Sequence, residues 1–386
     1  MIRFEQIAGL EWDRRLLDPT SSRVSNSFAN NRRTTTRLCE RSFTVSILIT
    51  GGVGYIGSHT AKLFQESGLD VVVLDNLVTG CNKNAKWGAF IEGDISDTAL
   101  VRRLLRKYSV SAVIHLAASA HVGESMLRPE AYFANNWSGS LALLDSMLAE
   151  GVMQFVFASS CAVYGDLTSP AAHENEATTP VSPYGESKLA TERSLPWYES
   201  AFGLRWVALR YFNAAGAKDG LGEEPSQSVR IIPRAIQAAT GAGPPLEVFG
   251  TDFATPDGSA VRDYVHVSDV AHANLRALRY LEHGNSGSVI NIGSGTGVSV
   301  LEIIQSVGTQ TGQAVPFITR LARRGDPAFA VSDPSRAQHL LGWTADASGL
   351  KNIIASLVDS RSLRASRRTG SYDDMQAREF MLDGSS

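Results

Sequence analysis

The run Ser46-Ile47-Leu48-Ile49-Thr50-Gly51-Gly52-Val53-Gly54-Tyr55-Ile56-Gly57, followed by Asp70-Val71-Val72-Val73-Leu74-Asp75, decides how this chain folds. Residues 46–50 are apolar and long enough for one buried strand. A glycine turn interrupts them, a helix is expected from about Tyr55 to Ser67, and Asp70–Asp75 reads as a second buried strand. Strand, turn, helix and strand within about 30 residues form a βαβ unit with a parallel pair. Gly52 to Gly57 spell G-x-G-x-x-G, and Gly51 makes the same stretch G-x-x-G-x-x-G. Without Cβ atoms the turn can meet a pyrophosphate closely, and the helix start faces that anion with amides and a positive dipole end. Gly51, Gly54, Tyr55, Ile56 and Gly57 are therefore candidate cofactor contacts. Asp75 closes the second strand, where a carboxylate accepts from a ribose 2′-hydroxyl and repels a 2′-phosphate. NAD is expected rather than NADP, with Asn76 beside Asp75. Asp94, next to Ile95, either reaches the adenine edge or serves as a loop or helix-cap acid.

The alternation continues outward from this unit. Strands are expected at Gly88–Ile91, Ala112–Leu116, Phe155–Ala158 and Trp206–Tyr211, with helices at Thr98–Tyr108, Ala131–Ala149 and Tyr184–Phe202. This pattern predicts an α/β fold, a Rossmann-type doubly wound parallel sheet covered on both faces. After Asn213 the rhythm changes, and Gly241-Ala242-Gly243-Pro244-Pro245 is a clear break. Shorter elements follow, expected as helices at Pro233–Ala239, Val267–Leu281 and Val300–Thr311, and strands at Leu246–Phe249, Arg262–Val265 and Val289–Ile292. The division expected is a dinucleotide-binding domain over 46–212 with a contribution from about 262–283, and a smaller, interleaved C-terminal substrate domain over 213–360. Residues 1–45 are rich in Arg, Ser, Thr and Asn and lack an apolar signal core; they read as a disordered or non-native extension. Residues 361–386 read as a mobile tail.

Composition narrows the partners. The 386 residues carry a formal net charge of -3, which gives no reason to expect nucleic acid or an acidic membrane. No apolar run approaches the ~20 residues of a membrane helix. Three cysteines, Cys39, Cys81 and Cys161, do not make a disulfide framework, so a reduced, cytoplasmic setting is expected. The histidines show no metal-ligand spacing, and no metal is expected.

Chemistry enters at Ser182-Pro183-Tyr184-Gly185-Glu186-Ser187-Lys188. Ser182 and Pro183 suit a helix entry. Tyr184 and Lys188 then lie four apart on one face. An ammonium beside a phenol favours the phenolate, which could exchange a proton near neutral pH.

Other landmarks are His115-Leu116-Ala117-Ala118, Asn135-Asn136, Ser159-Ser160-Cys161-Ala162-Val163-Tyr164-Gly165, Arg210-Tyr211-Phe212-Asn213, Val261-Arg262-Asp263-Tyr264 and Arg324-Gly325-Asp326. Together with the glycine turn they resemble the extended short-chain dehydrogenase/reductase family and, within it, the UDP-glucose 4-epimerases, from about Ser46 to Trp343. The resemblance implies an NAD-dependent C4 epimerisation of a UDP-hexose, UDP-glucose or UDP-galactose, through a transient 4-keto sugar. It implies catalytic roles for Tyr184 as acid/base, Lys188 at the nicotinamide ribose and Ser160 at the reacting oxygen. Leu116, Ala117, Ala118, Asn136 and Phe212 would complete the cofactor site. Ser160, Asn213, Arg262, Arg323 and Asp326 would hold the UDP-sugar, with Arg323 and Arg324 both open as the arginine facing the diphosphate. A homodimer through the helices near Ala131–Ala149 and Tyr184–Phe202 is also implied.

The string Ser159–Gly165 separates sister reactions. Related 4,6-dehydratases resemble Ser-Thr-Asp-Glu-Val-Tyr-Gly there and use the acid pair for elimination. Cys161 and Ala162 stand in its place here, so oxidation followed by re-reduction is what remains. The chain departs from the resemblance at Ala120, where a lysine is common, and at Arg230, where Asn or His is common. Ala330 stands where a bulky residue restricts sugar size in some relatives, which leaves room for an N-acetyl group. Two further readings stay open: another sugar-nucleotide enzyme of this fold, such as a UDP-pentose or UDP-GlcNAc 4-epimerase, and a non-catalytic NAD-binding regulator.

Overall fold

The computed structural model describes residues 45–167, 169, 171–221, 230–323 and 326–360, all within one compact unit. The expectations for residues 1–44 and 361–386 lie outside the described residues, as does Arg324.

The strands β1 Ser46–Thr50, β2 Asp70–Asp75, β3 Ala89–Glu92, β4 Val110–His115, β5 Gln154–Ser160 and β6 Arg205–Tyr211 alternate with helices along the chain. The helices are α1 Tyr55–Glu66, α2 Thr98–Lys107, the short α3 Val122–Ser125 and α4 Pro129–Tyr132, then α5 Gly139–Ala149 and α6 Pro183–Phe202. A short strand β7 Asn213–Ala215 and helix α7 Ile231–Ala239 follow. Next come β8 Leu246–Phe249, β9 Val261–His266, α8 Val267–Glu282 and β10 Ser288–Ile292. Then come β11 Gly297–Ser299, α9 Val300–Thr311, β12 Phe317–Arg320, β13 Phe329–Ala330 and α10 Ser335–Leu341, and residues 350–360 are helical.

One seven-stranded sheet runs in the order β10-β6-β5-β4-β1-β2-β3, every pair parallel. The chain starts in the middle at β1, winds one way to β3 and then the other way to β10. That reversal opens a crevice at the carboxyl ends of β1 and β4, where such sheets bind ligands. β1 is buried on both faces because helices cover both sides. Ile47 and Ile49 enter one apolar cluster with Phe64, Val270 and Leu278, while Leu48 enters the other with Leu104, Leu143 and Phe155. Burial of each such side chain contributes roughly 1.5–3 kcal/mol.

The second half of the chain interleaves with the first: α8, within the 262–283 stretch, packs its Val270 and Leu278 in the cluster of β1, and other points join as well. β10 completes the large sheet, although residues 288–292 lie beyond the 262–283 contribution read from the sequence. β9 instead centres a small sheet with β7, β11 and β13. A third apolar cluster lies here, around Ile232, Ile236, Leu246, Ile303 and Ile353. The short strands β7, β11, β12 and β13 were missed in sequence because two to four residues show no measurable period.

Candidate active site

The glycine turn is built by contact. Gly51 has φ +68°, and a Cβ there would fall 2.7 Å from the Ala117 amide nitrogen. A Cβ on Gly57 would fall 2.0 Å from the Gly51 carbonyl oxygen. The turn, the first turn of α1 and the loop Leu116-Ala117-Ala118 thus share one small space. Gly54 caps α1 in extended conformation, no side chain caps the helix, and no acid stands in its first turn. The positive end of α1, with Tyr55 and Ile56, is left to an anion. The Asp75 carboxylate accepts from the Val53 amide (3.2 Å) and the Leu77 amide (2.9 Å), and burial pushes its carboxyl above the usual range. One bond on each oxygen leaves lone pairs for ribose hydroxyls. Beyond it, Asn76 donates to Asp94 (2.8 Å), and Ile95 is buried against Gly139. This cradle fits a dinucleotide: close backbone at the phosphates, an acid at the ribose.

Asn136 lies in a π turn, Phe133–Ser138, a distortion that often accompanies functional sites. Its amide nitrogen donates to the Ser119 carbonyl and the Ser187 hydroxyl, both at 3.0 Å, and its oxygen accepts from the Ser119 amide at 2.9 Å. It braces the loop after β4 against α6. Phe212 is likewise packed, in a cluster with Val163, Tyr164 and Leu189.

α6 starts as read: Ser182 accepts from the Gly185 amide (3.2 Å) and Pro183 occupies the first turn. Tyr184 projects half-buried toward the end of β5, near the Ser160 hydroxyl, whose oxygen accepts from the Ala162 amide at 3.2 Å. Tyr132 meets Tyr184 edge-on, with centroids 6.4 Å apart. Lys188 is buried; its Nζ donates to the Ala158 carbonyl at 2.7 Å and lies 4.9 Å from the Phe157 ring centre.

The electrostatics differ from the expectation that Lys188 acidifies Tyr184. Burial pushes the Tyr184 phenol up, and the bond from Ser160 and the charge of Arg230 offset only part of it. Burial lowers the Lys188 ammonium to about 7, partly offset by Glu192. Helical spacing puts both side chains on one face, but that face is dry, so desolvation dominates both groups. The Lys188 ammonium faces the sheet carbonyl rather than the phenol.

The residues expected to hold the substrate form a second group around β9 and β13. Arg262 donates to the Val261 and Pro327 carbonyls and lies 3.7 Å from the Asp326 carboxylate. Asn213 donates to the Asp263 carbonyl at 2.9 Å. Arg323 stacks on Phe249 at 3.7 Å, and its carbonyl accepts from the Asp326 amide. Ala330 pairs with Arg262 in register. Cys161, beside Ser160, has its thiol pushed up to about 11 by burial, with the Arg262 charge working against the shift. The two groups therefore adjoin at Cys161.

Sequence reasoning passed over Tyr132 and gave Arg230 no positive role. The Arg230 guanidinium stands 4.7 Å over the Tyr55 ring, and Tyr55 Oη donates to the Gly216 carbonyl at 2.7 Å. The glycine turn is thus tied to the segment after β7. No periodicity could reveal it, because it joins residues 161 positions apart. Among the described residues, no cluster of His, Cys, Asp and Glu could hold a metal ion, and no helix is long and apolar enough to cross a membrane.

Comparison with known proteins agrees with this arrangement. A model of the NAD dependent epimerase/dehydratase family matches residues 47–293. The UDP-glucose 4-epimerase of Lacticaseibacillus casei is 42% identical over 313 residues, 80% of this chain and 95% of that protein. The crystal structure of UDP-glucose 4-epimerase from Brucella ovis in complex with NAD is 46% identical, with a TM-score of 0.79, over 81% of this chain and 97% of that one. UDP-glucose-4-epimerase from Stenotrophomonas maltophila, with bound NAD and formylated UDP-arabinopyranose, superposes with a TM-score of 0.80 at 37% identity, over 83% and 99% of the two chains. With the glycine cradle, Ser160, Tyr184 and Lys188 on one crevice and identity sustained over most of both chains, this chain belongs to the NAD dependent epimerase/dehydratase family.

Proposed function

We propose that this protein interconverts UDP-glucose and UDP-galactose by NAD-dependent epimerisation at C4. One observation carries the reading: the end of β5 brings Ser160 to the Tyr184 phenol beside the glycine cradle, with no carboxylate at Cys161 or Ala162 to support elimination. Gly51, Gly54, Tyr55, Ile56 and Gly57 hold the pyrophosphate, Asp75 and Asn76 the adenosine ribose, and Asp94 and Ile95 the adenine edge. The loop Leu116–Ala118 lines the cofactor, braced by Asn136, and Phe212 backs it. NAD, when bound, supplies reversible hydride exchange with the sugar. Tyr184 takes and returns the proton of the 4-hydroxyl while Ser160 bonds the same oxygen. Lys188 orients the cofactor-facing side of α6. Arg262, Arg323 and Asp326 grip the diphosphate and nucleoside, and Asn213 opens the sugar site. Anchored there, the 4-keto sugar can turn without leaving.

Residues 46–212 with α8 and β10 form the cofactor part, and most of 213–360 the substrate part. A homodimer through α5 and α6 agrees with exposed Trp197, Phe202 and Trp137 on that side. A cytoplasmic setting agrees with the free thiols of Cys81 and Cys161.

The test is incubation of the purified protein with UDP-galactose and no added NAD, followed by product analysis. UDP-glucose should form. A protein that retains NAD yet leaves UDP-galactose unchanged would refute the reading.

Scope follows from Ala330. A methyl group beside Arg262 leaves room for an acetamido group, so UDP-GlcNAc should also be converted, and Ala330→Tyr should abolish that activity while sparing UDP-glucose. Wild-type turnover of the acetylated sugar near zero would remove this assignment.

A further inference from the structure

Glu192 lies one helical turn beyond Lys188 on the buried face of α6. It is 4% exposed and meets Arg210 of β6, also 4% exposed. The contact is bidentate: Arg210 Nε donates to Oε1 at 3.0 Å and Nη2 to Oε2 at 2.6 Å. The Ser159 hydroxyl donates to the same carboxylate. Ser159 immediately precedes Ser160 and is the register partner of Arg210 across β5 and β6. Arg210 lies 4.7 Å over the Tyr164 ring, and the Tyr164 hydroxyl donates to Asn291 of β10 at 2.7 Å. One carboxylate on α6 is thus pinned to the ends of neighbouring strands, one residue from the serine of the site.

Such a pair is a costly way to hold a helix. Apolar side chains of similar volume commonly hold as well, because burying two charges loses their hydration. A bidentate fork adds direction, which fixes the helix along its axis. Placement matters here, since a misplacement of about 1 Å in a reacting group can cost about a hundredfold in rate. The pair is neutral as a whole, but its carboxylate stands one helical turn from Lys188 and is the partner whose charge bears on that ammonium. Lys188 faces the Ala158 carbonyl and Phe157 on β5, His115 on β4 and Glu192 on its own helix, with Tyr184 one turn back on that helix. His115 is held neutral by burial, with Thr50 and Ser140 on its two nitrogens. Glu192 is the acid in that set.

We propose that Glu192, held by Arg210 and Ser159, is a positioning residue for the C4 reaction: it sets α6 against the end of β5 and supplies the negative charge that keeps Lys188 an ammonium. This rests on the roles given above to Tyr184 and Lys188. Glu192 raises a lysine pKa that burial lowers to about 7, so removing the carboxylate lowers it further. The fraction of ammonium then falls at lower pH than in the wild type.

The experiment compares wild type, Glu192→Gln and the double variant Glu192→Leu/Arg210→Met, each with its bound cofactor. Melting temperature, kcat against pH and the 13C-lysine NMR titration of Lys188 are measured. For Glu192→Gln, kcat at pH 8 should fall about tenfold or more, and the Lys188 titration should move at least about one pH unit toward acid, a tenfold change in its proton affinity. The double variant should regain the wild-type melting temperature but keep the shifted titration and low kcat, even if Glu192→Gln folds poorly. A double variant with wild-type kcat and wild-type Lys188 titration would overturn the proposal and leave Glu192 a structural brace. Failure of the wild type to convert UDP-galactose would strike the parent reading instead, and the NMR titration would still report on Glu192.

Discussion

Tyr184→Phe should give a folded protein that carries NAD and converts UDP-galactose to UDP-glucose about 10²–10⁴-fold more slowly than wild type, the range expected for loss of a positioned acid/base. The substitution removes one oxygen and keeps the ring that meets Tyr132 edge-on. It should therefore change the melting temperature little. Ser160 still accepts from the Ala162 amide. Burial holds the phenol above its ordinary value, and the Ser160 hydroxyl and the Arg230 charge are what pull against it. A water molecule in the same place has neither the position nor that environment. Single-turnover kinetics with UDP-galactose decides the matter, with bound cofactor measured by absorbance. A variant within about threefold of wild type would mean that another group moves the proton.

Gly57→Ala should abolish cofactor retention. The added methyl would sit 2.0 Å from the Gly51 oxygen and 2.7 Å from Gly52 Cα, and neither backbone atom can swing aside as a side chain could. Relief requires parting the glycine turn from α1. Overpacking of this kind costs on the order of 3 kcal/mol. If that falls on the cofactor-binding form, affinity drops about a hundredfold. The purified variant should lack nicotinamide absorbance and stay inactive until NAD is added at high concentration. The alternative site Gly68 offers a control, since a Cβ there meets nothing within 4 Å, although its φ of +79° makes substitution somewhat strained. Full NAD occupancy in Gly57→Ala would show that the turn is looser than its contacts imply.

Large parts of the site were legible in the order of residues. Gly51, Gly57 and Asp75 are spaced by local geometry, because a turn, a helix start and the end of the next strand follow one another within about 30 residues. The same holds for Ser182, Pro183, Tyr184 and Lys188, whose cap and helical period are properties of consecutive residues. The resemblance pointed to Ser160, and the structure sets it against the Tyr184 phenol.

What stayed hidden has a common cause. The direction of the Tyr184 and Lys188 shifts depends on how dry their shared face is, which is set by β5 packed beneath it and not by the spacing itself. The Arg230–Tyr55 stack, the Glu192–Arg210 fork and the entry of β10 into the large sheet all join residues far apart in sequence. The ordered residues by themselves determined a βαβ start, a doubly wound sheet and a tyrosine and a lysine one helical turn apart as the candidate acid/base pair, since each rests on local spacing and backbone preference. Tertiary packing alone decided which strands complete the sheet and how burial tunes each proton, because desolvation and long-range pairing exist only once distant segments meet.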